Sequence, residues 1–159
     1  MLTNSINFAP KERTMRLSMR GDYGLRALLE LARHYGERPV QSGDIAARQA
    51  IPEPYLDHLL TVLRKGGIIK STRGPQGGHT LLRAPDELTL GEAIAILEGS
   101  VSVMGCVDDP AACSLASNCV LRDVWRQIGE LTRGVLETTT IAELARRQGE
   151  AEAQARYYI

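Results

Sequence analysis

The chain has 159 residues, of which 43% are hydrophobic and 4% aromatic, with 19 Lys+Arg balanced by 19 Asp+Glu. That length fits one compact domain with an appendage, and the hydrophobic content excludes a disordered chain. Zero net charge excludes a simple polycation that coats nucleic acid or membrane. With so few aromatics, the core must be built from Leu, Ile, Val and Ala, and the Leu-, Ala- and Arg-rich usage favours helices. No apolar run approaches the roughly 20 residues of a membrane span. Residues 1–14 lack the apolar stretch of a signal peptide. Three cysteines are too few, and odd in number, for a disulfide scaffold. The expectation is a soluble, cytoplasmic protein without a membrane partner.

The zero is an average over unlike halves. Residues 15–85 carry 11 Lys/Arg against 6 Asp/Glu, and residues 86–159 carry 6 against 12. A basic front on an acidic back fits a polyanion-binding module on a carrier.

Residues 1–14 show no periodicity and read as a disordered extension, with Met15 a plausible alternative start. A first helix is predicted over residues 19–35, with Leu25, Leu28, Leu29 and Ala32 at helical spacing and Gly36 ending it. Ser42 is a natural N-cap for a second short helix to about Gln49. A third follows Ile51-Pro52-Glu53, with Pro54 at its first position and Leu56, Leu59, Leu60 and Leu63 as its buried stripe. Its other face presents Tyr55, His58, Thr61 and Lys65, and Gly66-Gly67 stops it.

The period then changes from helical to extended. Residues 68–73 and 79–83 read as two strands around the turn Gly74-Pro75-Gln76-Gly77-Gly78. Thr89-Leu90-Gly91-Glu92 matches a capping box opening a fourth helix. Residues 99–118 have poor periodicity. A long helix returns over residues 120–136, with Leu121, Val124, Ile128, Leu131 and Val135 spaced as in a coiled-coil seam. Thr140-Ile141-Ala142-Glu143 opens a last short helix, and the tail over residues 151–159 has no clear period. The expected organisation is a DNA-binding domain at 15–85, a connecting helix and Cys loop at 86–119, a dimerisation helix and short helix at 120–148, and a tail at 149–159.

Three helices followed by a β-hairpin is the order of a winged helix-turn-helix, a mainly α fold with a small β wing. In that design the third helix enters the major groove. Tyr55 and His58 are placed for bases or phosphates, and Arg64 and Lys65 for phosphates. Arg73, before the glycines, suits a narrow minor groove, and Gly74, Gly77 and Gly78 let the backbone come close to the sugar–phosphate chain. Protein-interaction modules share this element order. A Walker-type phosphate loop is excluded, because no Gly-Lys-Ser/Thr follows the glycines. No nucleophile–base pair or clustered carboxylate site is visible, so an enzyme is not expected.

Residues 15–27 (MRLSMRGDYGLRA), Tyr55-Leu56-Asp57-His58-Leu59-Leu60, Leu63-Arg64-Lys65-Gly66-Gly67 and the wing Arg73-Gly74-Pro75-Gln76-Gly77-Gly78 resemble the Rrf-type bacterial regulators, with their IscR, NsrR and CymR branches. Residues 89–94 and 139–144 fit the same pattern, so the resemblance spans about residues 15–148. It implies a homodimeric winged-helix transcription factor on double-stranded operator DNA, with a long dimerisation helix. Arg16, Ser42, Pro54, Gln76 and His79 join the expected DNA-facing set.

Cys106, Cys113 and Cys119 fall within 14 residues, spaced C-x6-C-x5-C. Thiolates are soft ligands for an iron–sulfur cluster, Zn or Cu(I). On spacing alone, small buried apolar residues, a reversible disulfide with one free thiol, and structural Zn with a fourth ligand remain open. The resemblance implies an iron–sulfur cluster (2Fe-2S or 4Fe-4S) that reports on iron–sulfur supply, oxidants or nitric oxide, because the IscR and NsrR branches carry a three-cysteine loop here. Two departures stand out. The Cys106–Cys113 gap looks one residue longer than in those branches, and Arg122 occupies the place of the IscR-type histidine. Asp22 matches the acidic residue that the NsrR-type pattern uses as fourth ligand, supplied by the partner subunit. Asp108, Asp109 and His34 are weaker candidates.

Residues 156–159 (RYYI) look like the ending of the CymR-type branch, which regulates cysteine metabolism and lacks the cysteine loop. A cluster-free regulator sensing thiol oxidation or a partner in cysteine metabolism is therefore the alternative. An iron–sulfur carrier or redox interaction protein is a third reading.

Overall fold

The computed structural model describes residues 18–99 and 104–156. In chain order these form α1 (Met19–Arg33), α2 (Ser42–Gln49), α3 (Glu53–Lys65), β1 (Ile69–Thr72), β2 (Gly78–Leu81), α4 (Leu90–Glu98), α5 (Gly105–Asp108), 3₁₀ turns at Pro110–Ala112 and Ala116–Asn118, α6 (Val120–Thr138) and α7 (Ile141–Arg156). This is a mainly helical fold with a two-stranded antiparallel wing.

Ser18 opens α1. Its side chain accepts from the Arg20 amide at 3.1 Å, while its own hydroxyl and amide donate to the Glu98 carboxylate at the end of α4. The anticipated α1 stripe is shifted. Ala27, Leu28 and Leu31 are fully buried, and Leu25, Leu29 and Ala32 only partly so. The reason is that α1 is covered on several sides, by α2, α3, α4 and α7. In α3 the stripe is as expected: Leu56, Leu59, Leu60 and Leu63 are all at most 2% exposed. Each contributes gross burial of about 1.5–3 kcal/mol, so α3 is held by its inner face and its outer face is free for other work.

Gly66 caps α3 and Gly67, at φ +74, turns the chain into β1. The hairpin pairs Ile69 with Leu81 and Thr72 with Gly78. Its tip closes with the Gly77 amide donating to the Gly74 carbonyl at 2.9 Å.

Both predicted capping boxes form only half. Thr89 accepts from the Glu92 amide at 3.1 Å and Thr140 from the Glu143 amide at 3.2 Å. The two glutamate side chains instead pair with Arg83 and Arg147. An arginine within reach gives a carboxylate a charged partner in place of a backbone amide.

The last helix corrects the expectation of a short one. α7 runs to Arg156 and returns onto α1, burying Ile141 and Ala145. Gly149 does not stop it, because the Ala- and Glu-rich continuation is helix-forming and Glu152 anchors it to Arg33 of α1 at 2.9 Å. Its start is also tied down. The Ile141 amide donates to Leu88 O and the Leu90 amide to Thr139 O.

No described residue of α6 is buried. Leu121, Val124, Ile128, Leu131 and Val135 are 59, 49, 36, 75 and 62% exposed. The predicted seam is real as a pattern and faces away from the chain's own core.

Candidate nucleic-acid interface and metal centre

The outer face of α3 and the tip of the wing carry the expected DNA-facing groups. Pro54, Tyr55, His58, Arg64 and Lys65 are exposed on α3. Arg73, Gly74 and Gln76 are exposed at the hairpin tip. Tyr55 is steadied from behind by an edge-on contact with Tyr23 of α1, with ring centroids 5.8 Å apart. Arg16 lies outside the described residues, as do residues 1–14 and the end of the tail.

The remaining wing residues shape the hairpin itself. Gly77 is buried inside the turn, where a Cβ would overlap the Thr72 carbonyl. Gly78 sits at φ +147, and a Cβ there would overlap the carbonyl of Val40. Only glycine allows the hairpin to lie this close to the chain before α2. Any contact these two glycines make with DNA is through their backbone.

Ser42 corrects its predicted role. The N-cap of α2 is Gln41, and Ser42 is the first helical residue. Its hydroxyl is turned sideways to His79 Nε2, 3.2 Å away. His79 is half-buried and its other ring nitrogen, Nδ1, lies 3.0 Å from Ser71 Oγ. Burial holds the His79 imidazole below its ordinary pKa; Asp57 opposes that shift and Arg64 adds to it. Gln41 reaches from the start of α2 to the Pro75 carbonyl at 3.2 Å. Sequence reasoning missed Gln41 and Ser71. Polar residues in a turn and on a strand carry no signal of partners more than 30 and 8 positions away.

A second missed group lies behind the helix-turn-helix. Glu30 is the one buried charged side chain among the described residues, at 2% exposed. It accepts from Arg48 at 2.7 Å and from Gln49 at 3.0 Å, and so ties α1 to α2. Burial alone would raise its pKa, but the hydrogen bonds from Arg48 and Gln49 outweigh that and hold it below the usual carboxylate value. His34, a weaker ligand candidate, is engaged here, with its ring nitrogens 3.3 Å from Glu30 and 2.7 Å from Glu37. The available signal was position, since Glu30 falls between the apolar residues of α1.

The cysteines sit where the chain passes from α4 to α6. Cys106 is in α5, Cys113 ends the first 3₁₀ turn, and Cys119 is the N-cap of α6. All three are free thiols of intermediate burial. Arg122, one turn into α6, donates through Nε to the Cys106 carbonyl at 3.0 Å and fastens this segment to the long helix. Asp109 caps the first 3₁₀ turn by accepting from the Ala111 amide. Asp22 forms an i,i+4 ion pair with Arg26 at 3.0 Å on α1. Among the described residues no group of three His, Cys, Asp or Glu side chains is arranged to hold a metal ion. As a donor set, three free thiols within 14 residues suit a soft, thiophilic centre. One chain in this arrangement does not assemble them around it.

Comparison with known proteins agrees with this architecture. The chain matches the Rrf2 family, described as an iron-dependent transcriptional regulator, over residues 17–147. It is 36% identical to the HTH-type transcriptional regulator CymR of Bacillus subtilis over 144 residues, covering 90% of this chain and 99% of that protein. It is 37% identical to the HTH-type transcriptional regulator IscR of Serratia proteamaculans over 134 residues, 84% of this chain and 81% of that one. The solved structure of CymR, the global cysteine regulator of B. subtilis, matches with a TM-score of 0.72 at 35% identity, over 84% of this chain and 98% of that one. These relatives are transcriptional regulators rather than enzymes. Among the described residues no helix is long and apolar enough to cross a membrane.

Proposed function

The chain belongs to the Rrf2 family of transcriptional regulators, and from that premise we propose that it is a cytoplasmic homodimer whose affinity for operator DNA is governed by an iron–sulfur cluster on the Cys106–Cys119 segment. The observation that carries the DNA half of this reading is the two-sidedness of α3. Its inner leucines are fully buried, while Tyr55, His58, Arg64 and Lys65 are exposed, as is Arg73 of the wing. A recognition helix in the major groove and an arginine in the flanking minor groove need that geometry. The seam on α6 is the surface through which two such domains, residues 15–85 of each chain, would be held at a fixed half-site spacing.

Cys106, Cys113 and Cys119 would hold the cluster, with Asp22 contributed by the partner subunit. A bound cluster supplies sensitivity to oxidants, nitric oxide and iron–sulfur supply. The chain's own part is positional. Cys119 begins α6 and Cys106 is fastened to α6 through Arg122, so a rearrangement of this segment acts directly on the helix that spaces the two DNA-reading domains. Anaerobic purification with iron and acid-labile sulfide assays beside a visible spectrum tests this. Iron, sulfide and a thiolate-to-iron absorption band that disappears with Cys113→Ser are expected; protein free of all three refutes the cluster.

The second reading is a cluster-free regulator that senses thiol oxidation or a partner in cysteine metabolism. The likeness to CymR across 99% of that protein's length favours it. It predicts no iron signal and an oxidant response of DNA binding that Cys113→Ser abolishes.

A further inference from the structure

We propose that His79 is a positioning residue that pins the wing to the start of α2 and so presets where Arg73 meets DNA. The inference rests on the DNA-binding reading above, and its support lies in how the wing is attached. A hairpin of four residue pairs with an exposed tip has little core of its own, since only Ile69 and Leu81 of its strands are buried. It is held instead close to its turn, one pair in from Thr72–Gly78. The backbone of His79 exchanges two hydrogen bonds with Val40, His79 N to Val40 O at 2.8 Å and Val40 N to His79 O at 3.0 Å. The imidazole then spans from one element to the other. Nδ1 meets Ser71 on the opposite strand of the hairpin, and Nε2 meets Ser42 in the first turn of α2.

The two side-chain bonds differ in consequence. Ser71 is directly opposite His79 in the sheet register, so that bond stays within the hairpin. The Ser42 bond crosses from the wing to the helix-turn-helix and is the one that fixes their relative position. Gln41, beside it, holds the Pro75 carbonyl at the tip, and Gly78 permits the close approach. Arg73 lies on the far side of this anchor. A wing that is already in place loses less freedom when it binds than one that must be ordered by DNA.

The test uses the full chain and a duplex enriched by it from a random library. His79→Ala is expected to weaken binding to that duplex about 10-fold and to lower the salt slope by about one, as loss of a single phosphate or groove cation does. In that background Arg73→Ala should cost less than about 2-fold more, because an unpinned Arg73 has already lost its contact. Gln places its amide nitrogen near the site of imidazole Nε2, so His79→Gln should restore binding, whereas His79→Asn, which reaches only the Nδ1 position, should not. Ser42→Ala should match His79→Ala. Amide exchange at Val40 in the DNA-free protein should accelerate in His79→Ala and Ser42→Ala alike. Fully additive losses for Arg73→Ala and His79→Ala, or rescue by Asn rather than Gln, would overturn the positioning role. So would unchanged Val40 exchange with DNA binding intact. A wild-type chain that enriches no duplex would instead overturn the DNA-binding reading itself.

Discussion

Replacing Leu131 with Ala isolates the role of α6, because that side chain is 75% exposed and belongs to no core of the single chain. The substitution removes three carbon groups, each worth about 0.8 kcal/mol when fully buried. Scaled by the exposed fraction that a partner helix can still cover, the loss is about 1.8 kcal/mol per copy. A two-fold dimer contains the residue twice, so the interface loses about 3.6 kcal/mol. That corresponds to a dimer weakened by roughly 400-fold. Sedimentation velocity over a dilution series measures it directly. Thermal stability of the dissociated chain should change by less than about 0.5 kcal/mol, as for a surface substitution. Arg126→Ala, on the opposite side of α6 in an exposed pair with Asp123, is the control and should leave dimerisation unchanged. A wild-type chain that stays monomeric at tens of micromolar would refute the reasoning. So would a Leu131→Ala dimer as tight as wild type.

Three further outcomes follow from the geometry. Glu30→Gln leaves one buried acceptor but turns the other oxygen into a donor facing Arg48 or Gln49, and should cost about 1–3 kcal/mol in urea unfolding at neutral pH. Because the Glu30 pKa is held down in the fold, its contribution is present above the ordinary carboxylate value and is lost as pH falls through the lower folded value; Glu30→Gln should therefore show a shallower acid limb of stability, and an unchanged limb counts against the pair. His79, facing Ser42, Ser71, Asp57 and Arg64, is held below its ordinary value. It therefore costs no stability above about pH 6.5, and stability is lost as pH falls from there toward the folded value; His79→Gln should flatten that segment of a thermal-midpoint profile. Gly24→Ala sets two effects against each other, a helix-propensity gain of about 1 kcal/mol and overpacking of about 1–3 kcal/mol. A Cβ at Gly24 would overlap both methyl groups of Leu97, which is itself buried and has nowhere to move. Net destabilisation is expected in urea, and a stabilised variant would show that α1 and α4 are less tightly apposed.

What was legible in the sequence divides along physical lines. Periodicity located the helices and the wing, because burying one face of an element leaves a repeating mark on it. The leucines of α3 and the glycine turn are examples. Cross-element polar links left no such mark. Ser42 looked like a cap because Ser is a good cap, but its partner, His79, is 37 positions away, and only the folded wing brings them together. Glu92 and Glu143 looked like capping-box acids for the same local reason and were drawn off by Arg83 and Arg147. The end of α7 was missed because its Ala- and Glu-rich residues show no apolar period, whereas Glu152 is held by Arg33 on a helix from the other end of the chain.

The proposed cluster site shows a different kind of limit. Its three thiols stand out in the sequence by their crowding, and the structure gives each a place beside the start of α6. Within one chain, Asp22 is occupied by Arg26 and the thiols are not gathered into a ligand group. A fourth donor supplied by the partner subunit would be missing from a single chain, since it reaches the site only across the interface. The dimer and the cluster are therefore linked predictions. If Asp22 closes the site from the partner, the Leu131→Ala chain, diluted below its weakened dimer constant, should release iron faster than wild type at the same concentration. Equal rates of iron release at every concentration would place all the ligands on one chain and remove Asp22 from the set.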